Sequence, residues 1–242
     1  MLGVRDDTLN KEEKQALDTK GYVVLENVLS GDHLTNLRQL FDDTARQQSP
    51  ATGPAEKETG TRHLKDLHRS EAFCRVPLQP RILAATSHVM KRRFIGSPPH
   101  GREPLQGFGQ QGLHIDWRTP GHGDVFYVAT AICLLDEFTH ENGATRVVPG
   151  SHRNTALPNK MMSDPAFIHP KQVIVNGAPG SVLFFNGHLL HSGTRNRTPL
   201  RRRTLQFSFI AFDVRHWIMG SGEQAATTDP AARFMFGYEN IS

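Results

Sequence analysis

Leu113-His114-Ile115-Asp116-Trp117 carries two potential metal ligands one residue apart. Side chains alternate along an extended strand, so His114 and Asp116 are expected on the same side of it. His191, in Leu190-His191-Ser192-Gly193, can bring a second imidazole to this pair. Two imidazoles and one carboxylate on one side of a metal leave open positions, an arrangement typical of non-haem Fe(II) oxygenases. The pattern therefore predicts a metal site.

Around this segment, the chain changes character at about residue 105. Short apolar or alternating runs are separated by Gly, Pro, Asn and Asp, a pattern that predicts an antiparallel sandwich or barrel. We expect the core of this barrel over residues 105–212 and a C-terminal tail over 213–242. The predicted strands are Gly112–Trp117, Val125–Leu135, Thr145–Val148, Gln172–Val175, Ser181–Phe185 and Arg203–Phe212.

Residues 1–95 have mostly helical patterns. Asn10 and Glu13 form a potential capping box at the start of a first helix, and Tyr22–Leu25 is a short apolar strand. Ser30 is placed to cap a second helix, and a third is expected from about Pro80 to Lys91. This part of the chain is expected to support the barrel.

The whole chain has 242 residues, of which 37% are hydrophobic, and one domain spanning 1–242 is the expected organisation. There is no apolar run long enough to cross a membrane and no secretory signal at the N-terminus. The two cysteines do not suggest a disulfide scaffold, which favours a cytoplasmic protein. The net charge of +4 comes from scattered basic residues, and nucleic-acid binding is not expected. A basic chain of this kind can attract small anions.

Four segments of this sequence match, in order and spacing, the motifs of a known protein family. The C-terminal half resembles the phytanoyl-CoA dioxygenase family of Fe(II)/2-oxoglutarate oxygenases. The resemblance extends over about residues 20–212 and is specific between 112 and 210. Its segments are Leu113–Trp117, Glu141–His152, Gly180–His191, and Asn196 followed by Arg202.

The resemblance implies a mainly β fold with flanking α-helices. Its core would be a double-stranded β-helix (a jelly roll, cupin-like), with the N-terminal helices packed on the outer sheet. The iron ligands would be His114, Asp116 and His191, and the cofactors would be Fe(II), 2-oxoglutarate as cosubstrate and O₂. Arg202 stands at the family position of the arginine that binds the far carboxylate of 2-oxoglutarate, and Thr204 is a weaker candidate for the same carboxylate.

Arg202 lies within three consecutive arginines, which could instead form a solvated basic edge. Alternation places Arg202 on a face with Thr204, whereas Arg201 and Arg203 share a face with Leu205. A guanidinium suits the task, since its planar fork meets a carboxylate with two parallel hydrogen bonds. The alternation fits an outward polar face equally well, and the family spacing is what favours a cosubstrate role for Arg202.

Several residues close to the predicted ligands in the sequence have more than one possible role. His188 could form a helical metal pair with His191, but it follows a β-like run and the family places its ligand at the second histidine. Trp117 could face the substrate or pack in the core. The family often has glutamine where this chain has Ile115, and Gly-Ser-Gly where it has Ser192-Gly193-Thr194. The second departure puts a serine contact to the cosubstrate in doubt.

The expected activity is that of an oxidoreductase, a dioxygenase that hydroxylates a small metabolite or natural-product intermediate and releases succinate and CO₂. Asp116 disfavours halogenation, for which a small residue replaces the carboxylate in related enzymes. Desaturation, epoxidation and ring closure remain open. The alternative is a cupin-like metal-binding protein, such as a lyase, an isomerase or a binding module, which would not need Arg202. A basic nucleic-acid-binding protein is the third hypothesis and predicts a continuous Lys/Arg face.

The substrate determinants are expected in the variable segments, and a small-molecule substrate with no membrane partner is the simplest case. An anionic substrate could bind at Arg62, His63 and Lys65, or these side chains could simply be solvated. The aromatic tail could cap the barrel or pack across a dimer, so both a monomer and a homodimer stay open. The variable segments are residues 48–75, 95–110, 118–125, 153–171 and the tail after Asp213.

Overall fold

The computed structural model describes residues 4–48, 60–117, 123–154, 164, 166–217 and 227–237. Its helices lie mostly before the β-rich part of the chain. None of them, in the described residues, is long and apolar enough to cross a bilayer. The helices are α1 (Lys11–Thr19), α2 (Gly31–Gln47), α3 (Glu71–Arg75), α4 (Pro80–Met90) and α5 (Pro230–Met235).

The strands form two antiparallel sheets. The larger has the order β1-β8-β5-β10-β4-β2 with β3 also paired to β10, and the smaller has the order β7-β6-β9. Two facing antiparallel sheets are the arrangement expected of a jelly roll. The strands are β1 (Tyr22–Leu25), β2 (Thr61–Leu64), β3 (Phe94–Gly96), β4 (His100–Pro104), β5 (Val128–Leu134), β6 (Arg146–Val147), β7 (Val173–Ile174), β8 (Val182–Asn186), β9 (His191–Ser192) and β10 (Thr204–Ala211).

Alternation along the strands of the large sheet separates two apolar clusters. One cluster joins α2 and α4 residues such as Phe41 and Ile82 to the face of the sheet that carries Ala131, Phe184 and Phe207. The other cluster fills the space between the two sheets, and its members are Ile132, Leu134, Phe138, Ala144, Val147, Val175, Leu183, Phe185 and Leu189. We call the sheet face that contacts this second cluster the inner face.

The N-terminal helices begin and end close to where the sequence predicts. The capping box is confirmed, because the Asn10 side chain accepts from the Glu13 backbone and the Glu13 side chain accepts from the Asn10 backbone. The third helix, α4, ends at Met90 with Lys91 in the left-handed region at its C-terminus. Ser30 stands at the N-cap of α2, although its side chain makes no capping bond.

The prediction of a regular strand over Gly112–Trp117 is wrong. Only His114 pairs in the manner of a strand, through an isolated bridge to His191. Beyond it the backbone N–H groups of both Asp116 and Trp117 point to one carbonyl, that of Gly187. Two donors converging on one acceptor cannot continue a ladder, in which each residue has its own partner.

The large sheet takes strands from outside the predicted core of 105–212. β2 and β4 have the sequences TRHL and HGREP, and they pair with each other over four residues each. These strands have no apolar alternation, so the pattern that predicts strands in the later part of the chain is missing from them. Most of the loop expected at 48–60, and most of the tail after Asp213, lie outside the described residues.

Candidate metal centre

The structure brings His114, Asp116 and His191 together. Each offers one ligand atom, and these three atoms lie within 4.8 Å of one another. Each ligand has a different backbone setting. His114 forms an isolated bridge, Asp116 lies in the bend that follows it, and His191 is the first residue of β9. Such spacing matches one metal ion held by two imidazoles and a carboxylate.

The backbones of the two histidines are paired directly. The His114 N–H donates to the His191 carbonyl at 3.0 Å, and the His191 N–H donates to the His114 carbonyl at 2.9 Å. Their ring centroids are 4.4 Å apart. Residues opposite each other in an antiparallel pair project to the same side, so this bridge sets both imidazoles on one face.

In both histidines, Nδ1 is hydrogen-bonded to a backbone carbonyl oxygen. His114 Nδ1 lies 2.9 Å from the Gly112 carbonyl oxygen, and His191 Nδ1 lies 3.0 Å from that of Leu189. A carbonyl only accepts, so each Nδ1 carries the proton and each Nε2 keeps its lone pair. A second hydrogen bond that fixes the tautomer in this way is the usual support of a metal-binding histidine.

The third member, Asp116, is held by Thr130 on the inner face of β5. The Thr130 hydroxyl donates to Asp116 Oδ2 at 2.6 Å, while Asp116 Oδ1 lies 3.4 Å from His191 Nε2. The carboxylate therefore has one oxygen fixed by a hydroxyl and the other turned toward the imidazoles. That is the orientation a carboxylate ligand needs.

Burial sets the protonation state of His191, whose exposed fraction is 6%. Burial lowers the pKa of His191 to about 4, the Asp116 carboxylate opposes this shift, and His114 adds to it. The imidazole is therefore neutral near pH 7, and neutral imidazole is the form that binds metals.

The side chains between and beside the ligands turn away from the triad. Ile115 packs with an apolar cluster of Leu113, Val148 and Leu190. This gives a physical reason for an apolar residue at the position where the family often has glutamine. Trp117 is buried and stacks on Tyr127 with ring centroids 5.2 Å apart, so of its two predicted roles the structure favours core packing.

His188 is outside the triad, as the sequence predicts. It is buried, with its ring 5.5 Å from that of Phe126. Its backbone N–H donates to the Asn186 side chain at 3.0 Å, which closes the turn that leads into β9. His188 therefore packs beneath the segment that carries His191.

The three consecutive arginines point in alternating directions. Arg201 bonds Glu103 and Asp42, and Arg203 bonds Asp136 and Asp42, all on the helix side of the sheet. Arg202 is 1% exposed, and its guanidinium carbon lies 4.9 Å from the centre of the Phe138 ring, which belongs to the cluster between the sheets. Arg202 is thus an inward-facing, buried cation.

Thr204, the weaker candidate beside Arg202, is also buried on the inner face. Its hydroxyl donates to the Arg102 carbonyl at 3.1 Å. A hydroxyl has only one proton to donate, so in this arrangement Thr204 can accept a further bond but not give one. A role in carboxylate binding stays a prediction for this residue.

Gly193 explains the missing serine of the family pattern. The Gly193 N–H donates to Gln111 Oε1 at 2.9 Å. A Cβ placed on Gly193 would lie 2.9 Å from the Gly109 carbonyl oxygen and 3.1 Å from Arg102 Nη1. The space that a serine side chain needs is therefore taken by the Arg102 guanidinium, the Gly109 carbonyl and the Gln111 side chain.

Arg146 connects the two backbone segments that carry the triad, a role the sequence does not reveal. It is 2% exposed and donates to the Gln111 carbonyl at 2.9 Å and to Ser192 Oγ at 2.6 Å. It also donates to the Phe167 carbonyl at 2.6 Å. The only sequence signal for this role is an arginine in an otherwise apolar short strand.

On its outer side Arg146 borders a cavity of about 340 Å³ that none of the triad residues lines. Arg146 pairs with Ser192 in the small sheet, whereas His191 pairs with Val147, so the cavity and the triad lie on opposite faces of that sheet. This cavity is thus separate from the candidate metal centre.

Comparisons with known proteins agree with this geometry. The chain is 29% identical over 221 residues to dioxygenase trt7 of Aspergillus terreus, covering 83% of this chain and 73% of that protein. It is 32% identical over 222 residues to multifunctional dioxygenase prhA of Penicillium brasilianum, covering 83% and 72% respectively.

Among solved structures, HygX from Streptomyces hygroscopicus with nickel, 2-oxoglutarate and hygromycin B bound superimposes with a TM-score of 0.67. The identity is 21%, and the match covers 84% of this chain and 88% of HygX, which supports the fold. The model of the family described as phytanoyl-CoA dioxygenase (PhyH) matches residues 17–204. The chain belongs to the phytanoyl-CoA dioxygenase family.

Proposed function

We propose that this protein is an Fe(II)- and 2-oxoglutarate-dependent dioxygenase, and that His114, Asp116 and His191 are its iron ligands. The observation that carries the proposal is the convergence of two imidazoles and one carboxylate within 4.8 Å, with each Nδ1 already bonded to a carbonyl. Three ligands on one side of an iron ion leave positions for a cosubstrate and O₂.

The donor set fits Fe(II) better than a structural zinc. Zinc in structural sites is closed by four protein ligands, often cysteines, whereas both cysteines here are buried away from the triad as free thiols. When bound, iron with 2-oxoglutarate and O₂ supplies the oxidising chemistry, with succinate and CO₂ as coproducts. The chain contributes ligand orientation, through Thr130 and the two carbonyls, and a protein-lined space between the sheets.

Arg202 is proposed to hold the far carboxylate of 2-oxoglutarate. Its support is full burial on the inward side of the sheet, in a run where both neighbouring arginines point to the helix side and pair with acids. A buried guanidinium offers a carboxylate two parallel, charge-assisted hydrogen bonds. Thr204 is proposed as an acceptor at the same end of the site.

The reaction proposed is hydroxylation of a small metabolite or natural-product intermediate. The names of the relatives trt7 and prhA describe dioxygenases, and HygX was solved with a bound small molecule. Asp116 occupies the position that is a small residue in related halogenases, so we propose oxygenation and not halogenation. Desaturation, epoxidation and ring closure are alternative outcomes of the same site.

The domain organisation, oligomeric state and cellular location are also proposals. Residues 1–242 would form one domain, acting as a monomer or homodimer without nucleic acid. Two buried thiols, whose pKa values are raised by burial, fit a reducing compartment and hence a cytoplasmic location. Scattered basic residues, several paired with acids, do not favour a nucleic-acid surface.

The test is 2-oxoglutarate turnover by the purified chain with Fe(II) and ascorbate. Labelled 2-oxoglutarate should yield labelled CO₂ and succinate, and Asp116→Ala should abolish both. Arg202→Ala should lose 2-oxoglutarate binding while keeping iron. If turnover never exceeds that of Asp116→Ala across a broad substrate panel, and 2-oxoglutarate does not bind the iron-loaded protein, the chain is a cupin-like metal protein of another class.

A further inference from the structure

The outer face of the small sheet forms the floor of the cavity of about 340 Å³ that Arg146 borders. Cross-strand partners project to the same side of a sheet, so Ser192, Arg146 and Ile174 share this outer face. His191 and Val147 project to the opposite side, toward the metal centre. The volume of this space, which we call the outer cavity, falls at the lower end of the range for small-molecule sites. The outer cavity is therefore large enough for a small ligand.

Arg146 holds the floor of the outer cavity in place. Besides its bonds to the two ligand-bearing segments, its guanidinium donates to Gln172 Oε1 at 3.3 Å. The same oxygen accepts from the His169 N–H at 3.1 Å, so the amide oxygen of Gln172 is fixed on the Arg146 side. Gln172 lines the outer cavity, and no described group accepts a bond from its Nε2. Arg146 therefore acts as a support, and Gln172 retains an amide donor for a ligand.

Arg195 and Arg197 line the outer cavity and are exposed, which places them at its rim. Their backbones are anchored, because the Arg195 N–H donates to Gln110 Oε1 at 3.1 Å and the Arg197 N–H donates to the Glu141 carbonyl at 2.8 Å. Their side chains are not anchored in this way: within the parts of the chain that the structure describes, neither guanidinium makes a hydrogen bond or an ion pair. Two guanidinium groups on a fixed backbone therefore have donors available to a ligand.

Two carboxylates lie near these cations, and neither is among the described residues that line the outer cavity. Glu141 is hydrogen-bonded to His140 at 2.7 Å, and it lies close enough to Arg197 for their charges to interact. Asp164 acts electrostatically on Arg146, while its own side chain accepts a bond from the backbone of its loop at 2.8 Å. Glu141 thus offsets part of the Arg197 charge, and the rim keeps a net positive charge that favours an anionic ligand.

Part of the lining of the outer cavity is apolar. Ala166 and Ile168, which belong to the segment 153–171 that the sequence predicts to be variable, lie there together with Ile174. Ile168 exposes 72% of its surface, a large fraction for an apolar side chain of this size. Covering exposed apolar surface with an apolar group is favourable, at about 25 cal/mol per Å². The lining therefore suits a ligand that has an apolar part as well as a charged one.

We infer that the outer cavity is a second binding site, and that it takes a small organic anion with an apolar body. Arg195 and Arg197 bind the oxyanion group, a carboxylate or a phosphate, because guanidinium groups form charge-assisted hydrogen bonds with both. Gln172 adds a neutral donor, and the apolar body of the ligand covers the isoleucines of the lining. The site goes beyond the proposed function and needs neither iron nor 2-oxoglutarate, since no residue of the metal triad lines it.

Two matched sets of probes test the inference on the full chain by calorimetric titration. The first set is benzoate, its neutral counterpart benzamide, and acetate, which lacks the ring. The second set is phenyl phosphate, phenol and inorganic phosphate. We expect at least one aromatic anion to bind about tenfold or more tightly than both its neutral and its ring-free counterparts. The set in which this preference is found distinguishes a carboxylate ligand from a phosphate ligand.

Substitutions at exposed positions locate the binding. The double variant Arg195→Gln/Arg197→Gln should bind the preferred anion no more tightly than its neutral counterpart. Lys171→Gln is the matched control, because Lys171 is an exposed cation next to Gln172 that is not among the described residues lining the outer cavity. This control should keep the full preference. Circular dichroism checks that both variants retain the fold, which exposed substitutions of this kind rarely disturb.

Three results would overturn the inference. The first is that neither aromatic anion binds more tightly than its neutral counterpart. The second is an anion preference that persists in the double variant, since the anion then binds elsewhere, for example at Arg202. The third is equal binding of the ring-free and aromatic anions, which would exclude a ligand with an apolar body. None of these results bears on 2-oxoglutarate turnover, which tests the proposed function separately.

Discussion

His114 and His191 exchange two backbone hydrogen bonds, of 3.0 and 2.9 Å, across a single antiparallel bridge. The bridge fixes the distance between the two imidazoles before any metal arrives, and the carbonyls of Gly112 and Leu189 fix the rotation of each ring. A site organised in this way binds metal without first having to order its ligands, so its affinity depends directly on the individual ligand atoms.

The first prediction compares two histidines three residues apart. His191→Ala should weaken Fe(II) binding by about 100-fold or more, because it removes a ligand from the triad. His188→Ala should leave iron affinity within a few-fold, since His188 packs against Phe126 and lies outside the triad. Anaerobic calorimetry with Fe(II) measures both. Equal losses in the two variants would mean that the triad is not the iron site.

The second prediction concerns the hydroxyl that orients the carboxylate ligand. Thr130→Val keeps the shape of the side chain and removes the 2.6 Å bond to Asp116, so iron affinity should fall by about tenfold. Thr130→Ser retains the hydroxyl and should bind iron nearly as the parent does. The two variants are compared by the same titration, with circular dichroism to check the fold. An unchanged affinity in Thr130→Val would show that Asp116 needs no such support.

The triad could be predicted from the sequence because its chemistry is carried by residue type and order. A His-x-Asp pair is weak evidence by itself, and the ordered segments of the family resemblance are what identified His114, Asp116 and His191 as ligands. The choice of His191 over His188 followed from the β-like run before them and from the family position of the ligand at the second histidine. Helix α1 was predictable down to its capping box, since capping depends on residues only three positions apart.

The features that could not be predicted from the sequence depend on contacts between residues far apart in the chain. β2 and β4 are short and polar, and they form strands because β4 pairs with β10 and β2 then pairs with β4 as the edge strand. Arg102 and Arg146 have no local signal for their roles, because the groups they contact at Gly109, Gln111 and Ser192 become neighbours only after folding. The bend after His114 is likewise set by the Gly187 carbonyl.

The third prediction addresses Arg146, which joins the two ligand-bearing segments. Arg146→Lys retains the charge but cannot reach Gln111, Ser192 and Phe167 together. We expect the free energy of unfolding to fall by about 2 to 4 kcal/mol, the range for losing hydrogen bonds of a buried charged group. Arg195→Lys is the matched control, since Arg195 is exposed, and should change stability by less than about 0.5 kcal/mol.

Denaturant unfolding and iron titration together test this role. If Arg146 positions the ligands, Arg146→Lys should also weaken iron binding under conditions where the variant is fully folded. A loss of stability with unchanged iron affinity would restrict Arg146 to a structural role.

The last prediction is a pH dependence that originates at His152. This histidine is 1% exposed and lies beneath Gly21, and its burial, with a contribution from Arg153, lowers the pKa of His152 to about 4. In the unfolded chain the pKa returns to about 6.5, so between these values the unfolded state binds more protons than the folded state. Stability contributed by the neutral imidazole is complete above pH 6.5 and is lost as the pH falls toward 4, by up to about 3 kcal/mol. His152→Gln cannot titrate, so the metal-free variant should lose less stability over that range than the parent chain. Urea unfolding at half-unit pH steps gives both slopes, and parallel curves for the two proteins would assign the acid sensitivity to other groups.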